Sequence, residues 1–334
     1  MELDSFVAGH RAEWDRLEEL ATRRRRLSGA EADELVELYQ RAATHLSMVQ
    51  SSAPDPALVS RLSSLVATGR AAVTGASGAS WSDVAHVVLR SFPVAVWRTR
   101  WWWIGVAAAT ALVAVTIGAW VARSPDVVAA ISSPKDLKQL VDQDFADYYT
   151  SNPAGSFAFK VWTNNAWVAA LALVGGALLC LPGVYILWQN ALNIGVVGGL
   201  MAYAGRLDLF FGLITPHGLL ELTAVFVAGG AGIRLGWQIV SPGPRPRSVA
   251  LAEEGRSTLT IALGLVVVLL VSGVVEAFVT PSGLPTWARI GIGAVVWVAF
   301  LTYVVVLGRR GVREGDLGDV ADRAAVTETL PYAG

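Results

Sequence analysis

The chain has 334 residues, of which 54% are hydrophobic and only 16% charged, where an ordinary soluble domain carries roughly 25% charged residues. A formal net charge of −1 excludes nucleic acid as a partner, because phosphate binding needs a basic excess. The single cysteine, Cys180, excludes an internal disulfide, and the long apolar runs identify an integral membrane protein of the all-α class.

The N-terminus, "MELDSFVAGHRAEWDRLEEL", lacks an apolar core beside a basic start and does not read as a secretory signal. Residues 1–80 are predicted to form a small cytoplasmic helical domain ending in a linker. Phe6, Trp14, Leu17 and Leu20 share one helical face, and "RRRR" at 23–26 closes that helix near its negative dipole end. Ser28 and Glu31 have the spacing of a capping box, so a second helix starts there and carries Leu35, Leu38, Tyr39, Ala42, Leu46 and Val49. "SAPDP" at 52–56 ends it, and a third helix carries Leu58, Leu62, Leu65 and Val66. "TGASGAS" at 74–80 is a Gly/Ser linker. It contains the letters of the rhomboid-type G-x-S-G nucleophile motif, but a polar linker is the wrong context for that chemistry.

Residues 81–100 alternate Val84, Val87, Val88, Phe92 and Val94 with Arg90, Arg98 and Arg100. They are expected as an amphipathic helix in the membrane interface, bent near Pro93. Trp101, Trp102 and Trp103 then mark an aromatic belt.

Residues 101–308 hold about six apolar runs of spanning length: 101–122, 163–182, 184–205, 215–238, 258–280 and 287–307. Segment 123–162 is an external loop with Asp136, Asp142, Asp144 and Asp147, and "LPGV" at 181–184 is a tight inner turn. "LDLFFGLI" at 207–214 reads as a re-entrant or interfacial piece, with Thr215 as N-cap and Pro216 in the first helical position. Arginines at 90, 98 and 100, at 245, 247 and 256, and at 309, 310 and 313 fall on one side of a six-span protein. The positive-inside rule makes that side the cytoplasm, with both termini inside. Residues 309–334 are expected as a disordered cytoplasmic tail.

Polar residues inside the spans are the candidate site. Asn164, Asn165, His217, Gly218, Glu221 and Glu276 are predicted at one outer depth, and Gln189, Asn190 and Asn193 in an inner set. His217 and Glu221, at i and i+4, share a helix face. That face points into the bundle or a wet cavity, since an ionisable group in lipid is costly. A paired polar clasp, an ion or proton relay, and a metal site all remain open. Two ligands are too few for a metal, and Glu276 would have to supply a third. No catalytic set, metal or cofactor is expected. Ala228, Gly232 and Gly236 form a small-residue stripe that serves packing inside the bundle or a homodimer seam.

Two blocks, "NNAWVAALALVGGALLCLPGVYILWQNALNIG" at 164–195 and "PHGLLELTAVFVAGGAGIRLG" at 216–236, resemble the hallmark blocks of the stage II sporulation protein M family. Residues 6–47 are similar to the front end of its longer bacterial members. The resemblance implies a multi-pass protein of the cytoplasmic membrane, and a non-enzymatic scaffold or regulator of envelope and cell-wall remodelling. It further implies peptidoglycan-remodelling partners outside and a MoxR-type ATPase inside. It marks Asn164, Asn165, Asn190, His217, Gly218 and Glu221 as the functional core. The long front end departs from the sporulation members and puts the sporulation role itself in doubt. The alternatives are a permease-like subunit, which predicts a cavity joining Asn190 to Glu221, and an intramembrane metal-dependent hydrolase.

Overall fold

The structure, a computed structural model, describes residues 3–23, 27–52, 55–73, 81–149 and 153–319. The linker at 74–80, the arginines at 24–26 and the tail from 320 lie outside the described residues. Among the described residues every regular element is helical, as the composition implies. The chain divides into two compact units, Met1–Val84 and Ala85–Gly334.

The first unit is a three-helix assembly of α1 (Leu3–Arg23), α2 (Gly29–Ser52) and α3 (Pro56–Val73). Its core contains Trp14, Leu17, Leu20, Leu35, Ala42, Val49, Leu62 and Leu65, with Phe6, Tyr39 and Leu46 packed against it. The three- and four-residue periodicity had marked these positions. The capping box forms: the Ser28 backbone N–H donates to Glu31 Oε2 at 2.8 Å, and the Glu31 N–H donates to Ser28 Oγ at 3.3 Å. These bonds to its ionised form hold the Glu31 carboxyl below its ordinary range.

Helix α4 (Trp81–His86) carries the chain across the unit boundary, and a π-helical turn (Val87–Ser91) and α5 (Phe92–Arg98) lead into α6 (Arg100–Arg123). The π turn sits just before Pro93, whose missing N–H makes a regular helix hard to continue. Over 81–100, expected as an interfacial helix, the chain is not exposed along one face throughout: Trp81 at its start is 88% exposed. Phe92, Val94, Ala95 and Val96 are buried instead. The cause is a set of glycines on the facing helices: the Phe92 ring lies on Gly264, the Pro93 carbonyl on Gly308, and Val94 on Gly311. The aromatic belt is likewise divided. Trp101 faces outward, while Trp103 packs on Gly230 and donates its indole N–H to the Val96 carbonyl at 3.2 Å.

The remaining helices are α7 (Pro125–Ile131), α8 (Pro134–Gln139), α9 (Phe145–Asp147), α10 (Ala154–Ala177), α11 (Leu181–Tyr203), α12 (Leu207–Val240), α13 (Arg247–Val274) and α14 (Thr286–Arg313). A π segment, Val275–Val279, extends α13. Helices α6, α11, α12, α13 with its π segment, and α14 are long and apolar enough to cross a membrane. Helix α10 has the length, but Lys160, Thr163, Asn164 and Asn165 dilute its apolar run. It still lies in the bundle. Phe157 clusters with Leu213 and Gly176 touches Gly232, so α10 runs beside α12 in the same direction for about 30 Å at 1.5 Å per residue. Helix α12 is the hub, in contact with α6, α10, α11, α13 and α14.

Three boundaries differ from expectation. The chain from Leu207 to Val240 is one helix with Pro216 inside it, so Thr215 is no N-cap and no separate re-entrant piece exists. Residue i−4 to the proline is Gly212, and neighbouring helices supply the packing that lets a membrane helix keep a proline. The turn between α10 and α11 is made by Leu179 and Cys180, both at positive φ, and "LPGV" is the first turn of α11. The loop expected over 123–162 is helical for most of its length, and its Val128, Val141 and Tyr149 are buried against the bundle.

Of the tail expected to be disordered from 309, the described residues 309–319 are ordered. Helix α14 continues to Arg313, and residues 314–319 fold back on the arginines of the same end. Arg90 Nε pairs with Asp316 at 2.9 Å, Arg256 with Asp319 at 2.8 Å, and Arg98 donates to the Leu317 carbonyl. These contacts gather the arginines near 90–100, the start of α13 and the end of α14 at one end of the bundle, as the span count implies.

Candidate functional site

Helix α12 places His217 and Glu221 one turn apart on its bundle-facing side, and the π segment after α13 places Glu276 opposite them. His217 and Glu276 are 6% and 3% exposed. His217 Nε2 lies 3.9 Å from Glu276 Oε1. One ligand atom from each of His217, Glu221 and Glu276 lies within 4.8 Å of the others. The other imidazole nitrogen, Nδ1, is 3.3 Å from Thr280 Oγ1, and Ser272 Oγ donates to the His217 carbonyl at 3.1 Å. Glu221 Oε2 and Glu276 Oε2 are buried with no hydrogen-bond partner. Two buried carboxylate oxygens without partners are costly, so the arrangement calls for a cation or for bound protons.

The segment before α10 covers this cluster. The Tyr149 ring lies 5.8 Å from the His217 ring, and Tyr148, Tyr149 and Phe157 stack edge to face. Burial raises the Tyr149 hydroxyl well above its ordinary range, and Glu276, Tyr148 and Glu221 add to that. Tyr149 is therefore a neutral lid over the pair of acids.

The predicted outer set is only partly assembled. The offset of 56 residues between paired positions of α10 and α12 puts Asn164 and Asn165 level with Leu220 and Glu221 along the bundle. Asn164 nevertheless faces outward and donates to Asn165 Oδ1 at 3.3 Å. Gly218 is buried, and a Cβ there would meet only Ile214 of its own helix. The predicted inner set does not line an interior cavity. Gln189 and Asn193 are exposed on α11, and Asn190 donates to the Ile186 carbonyl of its own helix. Between Asn190 and Glu221 the interior holds Leu187, Leu220, Ala224, Val225, Val227 and Ala228. The small-residue stripe is buried in the bundle: Gly232 lies on the Leu173 carbonyl and Gly236 on the Gly176 carbonyl of α10. It is a packing seam within one chain, and these surfaces are not free to form a homodimer.

Sequence reasoning missed a second buried polar pair. Arg234 Nη2 of α12 meets Glu254 Oε2 of α13 at 2.9 Å, with side chains 16% and 8% exposed, and Arg234 Nη1 donates to Thr99 Oγ1 at 3.2 Å. The signal was available in the spacing. Arg234 precedes the end of α12 by about as many residues as Glu254 follows the start of α13, so a helical hairpin sets them level. Thr280, one turn beyond Glu276, was also not singled out.

These features define a polytopic helical membrane protein with a buried acid–histidine cluster and a separate helical unit. Its sequence matches the model of the stage II sporulation protein M family over residues 107–281, and the chain belongs to that family. The front end matches a different model, described as a domain of unknown function (DUF8413), over residues 4–75. A protein of Methanocaldococcus jannaschii, named Uncharacterized protein MJ0793, is 27% identical over 152 residues, covering 45% of this chain and 84% of that one. No solved structure matches significantly.

Proposed function

We propose that the protein is a non-enzymatic scaffold or regulator of an envelope-remodelling complex in the cytoplasmic membrane, with both termini in the cytoplasm. The observation that carries this reading is the outward polar face of two adjacent peripheral helices. Asn164 on α10 and Gln189 and Asn193 on α11 are exposed. Gly176 and Gly183 mark where these antiparallel helices touch. Asn164 lies twelve residues before that contact and Asn193 ten after it, so the two are about 18 and 15 Å from it, near one depth. Lipid has no hydrogen bonds to offer a primary amide at such a depth, whereas a partner helix does. The partners fitting the family resemblance are peptidoglycan-remodelling proteins at the outer side and a MoxR-type ATPase at the inner side.

A photo-reactive residue placed at Asn164, Gln189 or Asn193 and activated in native membranes tests this. Specific protein adducts at these sites, and fewer copurifying partners in the triple alanine variant, are expected. Adducts with lipid alone at all three positions would sink the reading.

A further inference from the structure

We propose that His217, Glu221 and Glu276 bind a divalent transition-metal ion inside the helix bundle. The donor set is one imidazole and two carboxylates, which suits zinc, manganese or iron(II). One donor atom from each residue already lies within 4.8 Å of the other two. In a tetrahedral site with ligand bonds near 2.0–2.1 Å the donors stand about 3.4 Å apart. The His217 Nε2 to Glu276 Oε1 separation of 3.9 Å closes to that by a small side-chain adjustment.

Three further observations point to a cation. Glu221 Oε2 and Glu276 Oε2 are buried without hydrogen-bond partners, and a dication neutralises both carboxylates at once. His217 has the arrangement of a metal ligand, since Nδ1–H can donate to Thr280 Oγ1 and leave the Nε2 lone pair facing Glu276. Ser272 Oγ holds the His217 carbonyl and so fixes the backbone that carries the ring. The donors come from two helices, and a bound ion would pin the π segment after α13 to α12. The metal site is independent of the scaffold role, which rests on the outward faces of α10 and α11.

A second convergence within 4.8 Å, His10, Glu13 and His45 in the front-end unit, is less suited. There the Trp14 indole N–H donates to His45 Nδ1, so that nitrogen is engaged and the other carries the proton. It must still be controlled for.

The full chain is purified in detergent in a His10→Asn background, incubated with zinc chloride and passed through gel filtration. About one zinc ion per chain is expected to stay bound. His217→Ala and Glu276→Gln, in the same background, should retain at least about tenfold less, since losing a ligand costs more than the roughly tenfold that follows loss of a ligand's hydrogen-bond partner. A chelator should lower the melting temperature of the His10→Asn protein and leave that of Glu276→Gln unchanged. If either variant elutes as aggregate, the isosteric Glu221→Gln replaces it. Zinc K-edge absorption on the His10→Asn protein gives an independent reading, with nitrogen and oxygen ligands expected. A monodisperse His10→Asn protein that retains no zinc overturns the proposal. So does equal retention in folded His217→Ala, or a sulfur ligand, which would place the ion at Cys180.

Discussion

Gly176 of α10 and Gly232 of α12 touch backbone to backbone: a Cβ built at Gly176 would stand 2.6 Å from the Gly232 carbonyl carbon and from the Ile233 nitrogen. Neither backbone can yield easily, because the clash is with main-chain atoms and Gly232 belongs to the central helix α12. Gly176→Ala is therefore expected to destabilise by about 1–3 kcal/mol, the usual cost of overpacking. Gly105, which has nothing within 4 Å of a built Cβ, is the matched control. Melting temperatures of both alanine variants in the same detergent check this, and equal values would contradict the close contact.

How much of this was legible follows from what each signal measures. Hydropathy measures length of apolar chain, so it found the bundle, and the arginines grouped one of its ends. The i, i+4 spacing put His217 and Glu221 on one face, and span direction put Glu276 level with them. Which way a helix turns is a tertiary property. The structure turns Asn164 and Gln189 outward, and nothing in their position along an apolar run shows which way they face. Pro216 looked like a helix start because proline is costly inside an isolated helix. Packing against the Gly293 face of α14, where its carbonyl sits, belongs to the fold and is invisible in the local sequence. The burial of Phe92 and Val94 depended on glycines some 170 to 220 positions away, at Gly264 and Gly311.

The Arg234–Glu254 pair predicts an asymmetric mutational response. Removing one partner leaves a buried charge: Glu254→Gln strands Arg234, and Arg234→Met strands a carboxylate whose Oε1 already lacks a partner. Each single change should cost about 3–5 kcal/mol. The double variant Arg234→Met/Glu254→Leu removes both charges and should recover a large part of that loss. A double-mutant cycle on thermal unfolding measures the coupling. Additive losses would show that the two groups do not depend on each other.

The ordered segment 314–319 predicts a role for the C-terminal strap in holding α5. Asp316 and Asp319 face Arg90 and Arg256, and Gly318 packs against the Ala95 backbone at a positive φ of 72°. A chain ending at Arg313 should keep its bundle but show faster amide hydrogen exchange over 87–98. Asp319→Asn should show a smaller increase that diminishes further as salt is raised, since the pairs around it are partly screened. Unchanged exchange over 87–98 in the truncated chain would show that the strap is passive.

The front-end unit should weaken on acidification, and His45 is the cause. Burial lowers its pKa below the ordinary value of 6.5, and the neighbouring His10 lowers it further. The folded state then binds its proton less readily than the unfolded state, so stability is complete above the unfolded value and is lost as pH falls beneath it. Hydrogen exchange in α1 and α2 of the full chain, corrected for intrinsic rates, should show less protection at about pH 5.5 than at about pH 7.5. His45→Gln keeps an acceptor for the Trp14 indole but cannot titrate, so it should flatten this difference. An undiminished pH response in His45→Gln would assign the effect to another group in the unit.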